Sequence, residues 1–112
     1  LLPALAVILL LAMVWYLRPL VSTDASAGQV SEAQIAEIIN SRCVACHASN
    51  PTQPGFVEAP LGIVLESTQQ IVHRAERIAV TVQTRYMPID NLTGMTDAER
   101  ATVASWYAQR QQ

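Results

Sequence analysis

Residues 43–47 read Cys43-Val44-Ala45-Cys46-His47, CVACH, and the chain has no other cysteine. Three chemistries use two cysteines at this spacing: a dithiol redox pair, half of a zinc site, and covalent attachment of c-type haem. The adjacent histidine separates them. In C-x-x-C-H the two thiols add to the haem vinyl groups, and the next side chain, already aimed at the ring, binds the iron axially. A zinc site needs two further ligands, and the only other histidine, His73, stands alone. A thioredoxin-like dithiol belongs at a helix start after a strand, and no strand pattern precedes Cys43. The string therefore points to one covalent haem c held by Cys43 and Cys46, with His47 as an axial ligand. An accidental C-x-x-C-H or a structural disulfide is the plainer alternative.

The chain has 112 residues. With about 20 of them in an apolar leading segment, the rest makes one small domain that buries little core by itself. A covalently attached haem supplies a large apolar body for helices to pack around. Residues 1–17, LLPALAVILLLAMVWYL, carry no charge and run into Arg18-Pro19. This is slightly short of the ~20 residues of a bilayer crossing, and the chain does not begin with Met, which leaves room for more of the span upstream. Trp15, Tyr16 and Arg18 sit where a helix would leave the lipid. Ala25-Ser26-Ala27 resembles a signal-peptide cleavage site, but no basic segment precedes the apolar run. The expected organisation is a transmembrane helix at 1–20, a short linker at 21–30 and a monohaem domain at 31–112. Haem is attached to c-type apoproteins outside the bacterial cytoplasmic membrane, which places the domain on the periplasmic side of that membrane. A fully extended linker reaches at most ~30 Å, so the domain stays near the lipid and suits a fixed subunit of a membrane complex.

Seven arginines, no lysine and nine acids give a formal net charge of −2. No basic stripe marks a nucleic-acid surface, and the lysine-rich face by which a soluble cytochrome steers to acidic partners is missing.

Ser31 with Gln34, Ser67 with Gln70 and Thr96 with Glu99 are three capping boxes. They predict helices over about Glu32–Ser41, from Ser67 to about Thr84, and over Asp97–Gln109. Ile35, Ile38 and Ile39 form the buried face of the first; Ile71, Ala75, Ile78 and Val82 that of the second; Val103, Trp106 and Tyr107 that of the third. Residues 48–65, rich in Pro and Gly, read as a long loop. Its apolar residues Phe56, Val57, Leu61, Ile63 and Leu65 are the expected cover of a haem. The fold class is all-α.

The second axial position decides between electron transfer and ligand chemistry, because a thioether opposite histidine raises the reduction potential and closes the iron. Met87 is the expected ligand: Pro88 ends the preceding helix and presents the sulfur from an extended segment. Met95, just before a helix cap, suits packing better, and His73 faces away from the apolar stripe. The carbonyl of Pro60 is the candidate acceptor that orients His47. Arg85 and Arg42 are candidates to pair with haem propionates or a partner's carboxylates.

With these residues in hand, 31–110 resembles a class I c-type cytochrome: a helix leading into CVACH, a middle helix, Met87-Pro88, and a capped last helix with Trp106. The resemblance implies a compact helical domain around one haem, His47 and Met87 as iron ligands, and an exposed haem edge for electron exchange. More narrowly, CVACHASNPTQPGFVEAPLGIVL with TRYMPIDNLTGMTDAER is similar to the C-terminal cytochrome domain of membrane-bound bacterial urate oxidases (urate hydroxylases). That likeness implies an upstream membrane domain that performs the oxidation. The loop reads Ala59-Pro60-Leu61-Gly62 where soluble members commonly have Gly-Pro-x-Leu. The expected function is one-electron transfer between a membrane oxidoreductase complex and a periplasmic or membrane acceptor, with the lipid bilayer and a redox protein as partners. The alternatives are the electron-output end of a larger oxidase, ligand chemistry at an open iron, and a structural subunit.

Overall fold

The computed structural model describes residues 1–17 and 28–112. These hold five α-helices: α1 (Leu2–Leu17), α2 (Glu32–Arg42), α3 (Thr68–His73), α4 (Ala75–Gln83) and α5 (Asp97–Arg110). Single 3-10 turns stand at Pro60–Gly62 and Ile89–Asn91. Among the described residues there is no strand, so the fold is all-α.

All three capping boxes form. The Ser31 hydroxyl accepts the Gln34 N–H at 3.2 Å while the Gln34 side chain accepts the Ser31 N–H at 2.8 Å. Ser67 with Gln70 and Thr96 with Glu99 repeat the exchange. Each box satisfies two backbone donors that a helix start leaves unpaired, which is why α2, α3 and α5 begin where they do. The middle helix, expected to be continuous to Thr84, divides at Arg74 (φ −105°, ψ 13°). The Arg74 N–H reaches back to the carbonyl of Ile71 at 3.1 Å, which tightens the last turn of α3, and α4 restarts with Ile78 bonded to the Arg74 carbonyl at 2.9 Å.

The core lies between these helices. Ile35, Ile39, Leu65, Ile71, Ala75, Ile78, Val82, Met95, Val103 and Trp106 form one buried cluster. Ile38 is only half-buried and packs against its edge. Helix α5 touches both α2 and α4, and α3 bridges the same two helices. Trp106 fills the α5 face of the core at 2% exposure, with the Arg110 guanidinium 5.4 Å from its ring centroid. The entry of the domain is fastened to its last helix: the Val30 N–H donates to the Gln109 side chain at 3.0 Å, and Arg110 pairs with Glu32 at 3.4 Å.

Helix α1 has 16 residues and exposes large apolar side chains all round, among them Leu9, Leu10, Leu11, Trp15 and Tyr16. At 1.5 Å per residue it spans about 24 Å, less than the ~30 Å hydrocarbon layer. Among the described residues no helix is long and apolar enough to cross a membrane. The expected end of the span at 18–20 and most of the expected linker lie outside the described residues.

Arg42, the last residue of α2, grips the start of α5. Its Nε and Nη2 each donate to the Glu99 carboxylate at 3.0 Å, and Nη1 donates to the Thr93 carbonyl. The hydrogen bond from Arg42 is the main cause holding the Glu99 carboxyl below its ordinary range. A lowered carboxyl stabilises the fold fully above its unfolded pKa of ~4.3 and loses that contribution as pH falls through the folded value. Glu99→Gln keeps one oxygen to accept the Thr96 N–H and removes the charge together with the second acceptor of the Arg42 fork. The variant should therefore melt below the wild type at pH 7, and the gap should narrow at pH 3, below the ordinary carboxyl range. Thermal unfolding at both pH values checks this.

Candidate cofactor site

Helix α2 delivers the chain into CVACH with its hydrogen bonds still running. Cys43 donates its N–H to Ile39 at 2.8 Å, and the His47 N–H closes back on the Cys43 carbonyl at 2.8 Å. The turn at 43–46 thus winds both cysteines and the histidine around one short stretch of backbone. It is braced from the loop side by Leu65, whose N–H donates to the His47 carbonyl at 2.9 Å.

A cavity of about 350 Å³ opens beside this turn. Cys43, Cys46 and His47 line it together with Met87, which arrives from the segment after α4. Pro60 also lines it, so five of the six site residues expected from the sequence converge on one space. Ile78, Val82, Tyr86 and Leu92 are among its apolar walls. From the long loop, Phe56, Leu61, Ile63 and Leu65 join the wall; Val57 does not, being 95% exposed. The volume falls within the ~300–1,000 Å³ of small-molecule and cofactor sites.

The histidine is oriented, but not by Pro60. Its Nδ1 lies 2.9 Å from the carbonyl of Ile63. The Pro60 carbonyl is engaged instead by the Ile63 N–H at 3.1 Å, closing the 3-10 turn. Leu61 and Gly62 follow with positive φ (56° and 67°), which swings the chain so that the next carbonyl faces the ring. With Nδ1–H donating to Ile63, Nε2 carries the free lone pair and is the nitrogen available to a metal.

Arg85, the sixth expected residue, does not line the cavity. It adopts φ 61° after the last turn of α4, and its side chain runs to Asp97 at 2.6 Å, with 64% of the side chain exposed. A left-handed residue there reverses the chain and turns Arg85 toward the start of α5, away from the cavity wall. Arg42 does line the cavity, with its guanidinium held by Glu99. The cationic residues on the wall that sequence reasoning missed are Arg74 and Arg77, neither of which has a carboxylate partner among the described residues. Their signal was a second helical stripe, Arg74, Arg77, Ile78, Thr81, beside the apolar one. Met95 is buried in the core at 4% exposure, and His73 is exposed and off the cavity wall.

The thiols are not tuned for exchange. Burial, and secondarily the neighbouring Cys46, push the Cys43 thiol up to about 11, and burial raises Cys46 as well. A catalytic dithiol needs a thiolate at neutral pH, the opposite shift. The arrangement can instead hold a flat apolar group by two thioether links, offer a nitrogen and a thioether to a metal, and meet carboxylates with Arg74 and Arg77.

No protein-family model matches the chain, and no match to it was found among curated proteins or solved structures.

Proposed function

We propose that residues 31–112 are a monohaem c-type cytochrome domain, tethered to a membrane by the apolar segment before it. It passes single electrons between a membrane oxidoreductase and a periplasmic or membrane acceptor. The observation that carries this reading is the convergence of Cys43, Cys46, His47 and Met87 on one apolar cavity, with the Nδ1 of His47 fixed by Ile63.

The donor set fits the group. A haem bound there would supply a one-electron ferrous/ferric couple. Cys43 and Cys46 would anchor it covalently, the Nε2 of His47 and the sulfur of Met87 would hold the metal, and Arg74 and Arg77 would meet its carboxylates. The apolar walls would pack against the flat faces of the group, leaving His47 and Met87 as the side chains to hold the metal. Helix α1 supports the membrane reading by its composition: a helix apolar over its whole circumference finds its partners in lipid or in other apolar helices. Its 16 residues require continuation beyond the described helix to complete a crossing.

The full chain, produced alongside the c-type maturation machinery, should carry one haem that survives unfolding in denaturant. It should titrate as a single one-electron wave in the visible spectrum. A polypeptide of unmodified mass under those conditions overturns the reading. The mass of the polypeptide from native membranes separates a single-span cytochrome subunit from the tail of a larger membrane oxidase.

A further inference from the structure

Arg100 stands on the buried stripe of α5, three residues before Val103 and six before Trp106. It is 7% exposed. Its Nη1 donates to the carbonyls of Val82 at 2.7 Å and Met87 at 3.0 Å, and Nη2 lies 3.4 Å from the Asn91 side-chain oxygen. Its Nε is buried with no hydrogen-bond partner, and no carboxylate pairs with it among the described residues. A guanidinium stays charged at any working pH.

A buried cation paired only with carbonyls is an expensive way to fasten a loop, since an apolar side chain of similar size would fill the same space without desolvating a charge. What the fork contacts is specific. Val82 and Met87 both line the cavity, and Asn91 is bonded in turn to both backbone groups of Met95. One side chain thus holds the last turn of α4, the carbonyl of Met87 and the turn at Ile89–Asn91. These are both ends of the segment that carries the methionine sulfur.

Resting on the haem reading of the cavity, we propose that Arg100 is the positioning residue for Met87 and that its unneutralised charge sets the reduction potential of the site. The planar fork reaches two carbonyls at once and fixes the Met87 backbone, so the sulfur meets the metal without searching for it. The charge lies behind the wall that carries the ligand, where little solvent screens it. A fixed positive charge there disfavours the oxidised metal, which carries one more positive charge, and so raises the potential.

Two variants of the full, haem-loaded chain separate the parts. Arg100→Lys keeps the charge and loses the fork. It should hold its potential near the wild type while the charge-transfer band of the thioether-bound ferric form fades at lower denaturant and lower alkaline pH. Arg100→Met loses both. At fixed ambient potential its oxidised-to-reduced ratio should rise about tenfold, ~59 mV for a one-electron couple. Hydrogen exchange of the amides at 84–91 should quicken in both. Unchanged potential in Arg100→Met, or an equally resistant band in Arg100→Lys, overturns the proposal and leaves Arg100 a structural residue. If Arg100→Met does not fold, the lysine variant alone decides positioning. A Met87→Ala control with the wild-type spectrum would instead overturn Met87 as a ligand, and the proposal with it.

Discussion

With Cys43→Ala and Cys46→Ala together, haem should wash out under denaturing extraction, and the stripped domain should lose cooperative unfolding. The cysteines themselves account for little of this, since alanine fits either position with modest change in volume. The loss comes from the cavity. With nothing in it, about 350 Å³ beside Ile78 and Val82 has no packing partner. A small domain has only about 5–15 kcal/mol of stability to lose. Helices α2 and α5 should persist in far-ultraviolet circular dichroism while the near-ultraviolet signal of Trp106 collapses, as in other states that keep secondary structure and lose packing. Chemical denaturation followed at both wavelengths tests it. A stripped double variant with a sharp transition at the wild-type midpoint would show that the cavity is not filled by the group proposed.

Met87→Ala should lower the reduction potential on the order of 0.1 V, within the ~0.8 V that axial ligation spans. The ferrous form should then bind carbon monoxide without denaturant, because one metal position is open. Met95→Ala is the contrast. Met95 is 4% exposed within the core, so its loss should cost ~2–5 kcal/mol of stability and leave spectrum and potential unchanged. The two methionines thus exchange signatures, one spectroscopic and one thermodynamic. Carbon monoxide binding by the wild type, or a shifted potential in Met95→Ala, would reassign the ligand.

The parts of this structure legible in the sequence are those written in local chemistry. Three capping boxes announce three helix starts because the side chains that close them lie three residues apart. Cys43, Cys46 and His47 come together because they share one turn. Met87 is brought to them by tertiary packing, yet it was legible through the proline that follows it. The parts that were not legible depend on where a carbonyl or a long side chain points. Ile63 orients the histidine through a turn with two positive φ values, and while Gly62 suits one of them, nothing in the sequence marks Leu61 for the other. Arg85 and Arg74 differ in the same way. Each is one arginine near a helix end, and a single left-handed residue sends the first to Asp97, while the break between α3 and α4 accompanies the second on the cavity wall. Arg100 was in plain view as a charge on an apolar stripe, but its partners are carbonyls 18 and 13 residues away, which no sequence pattern pairs.

The stitch between Val30 and Gln109, with Glu32 and Arg110 beside it, has a mechanical meaning. A pull on the polypeptide upstream of the domain meets these two contacts first and passes into the end of α5, at the base of Trp106. The segment from Val82 to Asn91 is anchored to α5 more than two turns away, at Arg100. Tension there loads α5 at one end, while the segment of Met87 is held near the other. A load at Val30 is thereby shared with the far end of α5, away from Arg100, the residue that fixes the Met87 carbonyl.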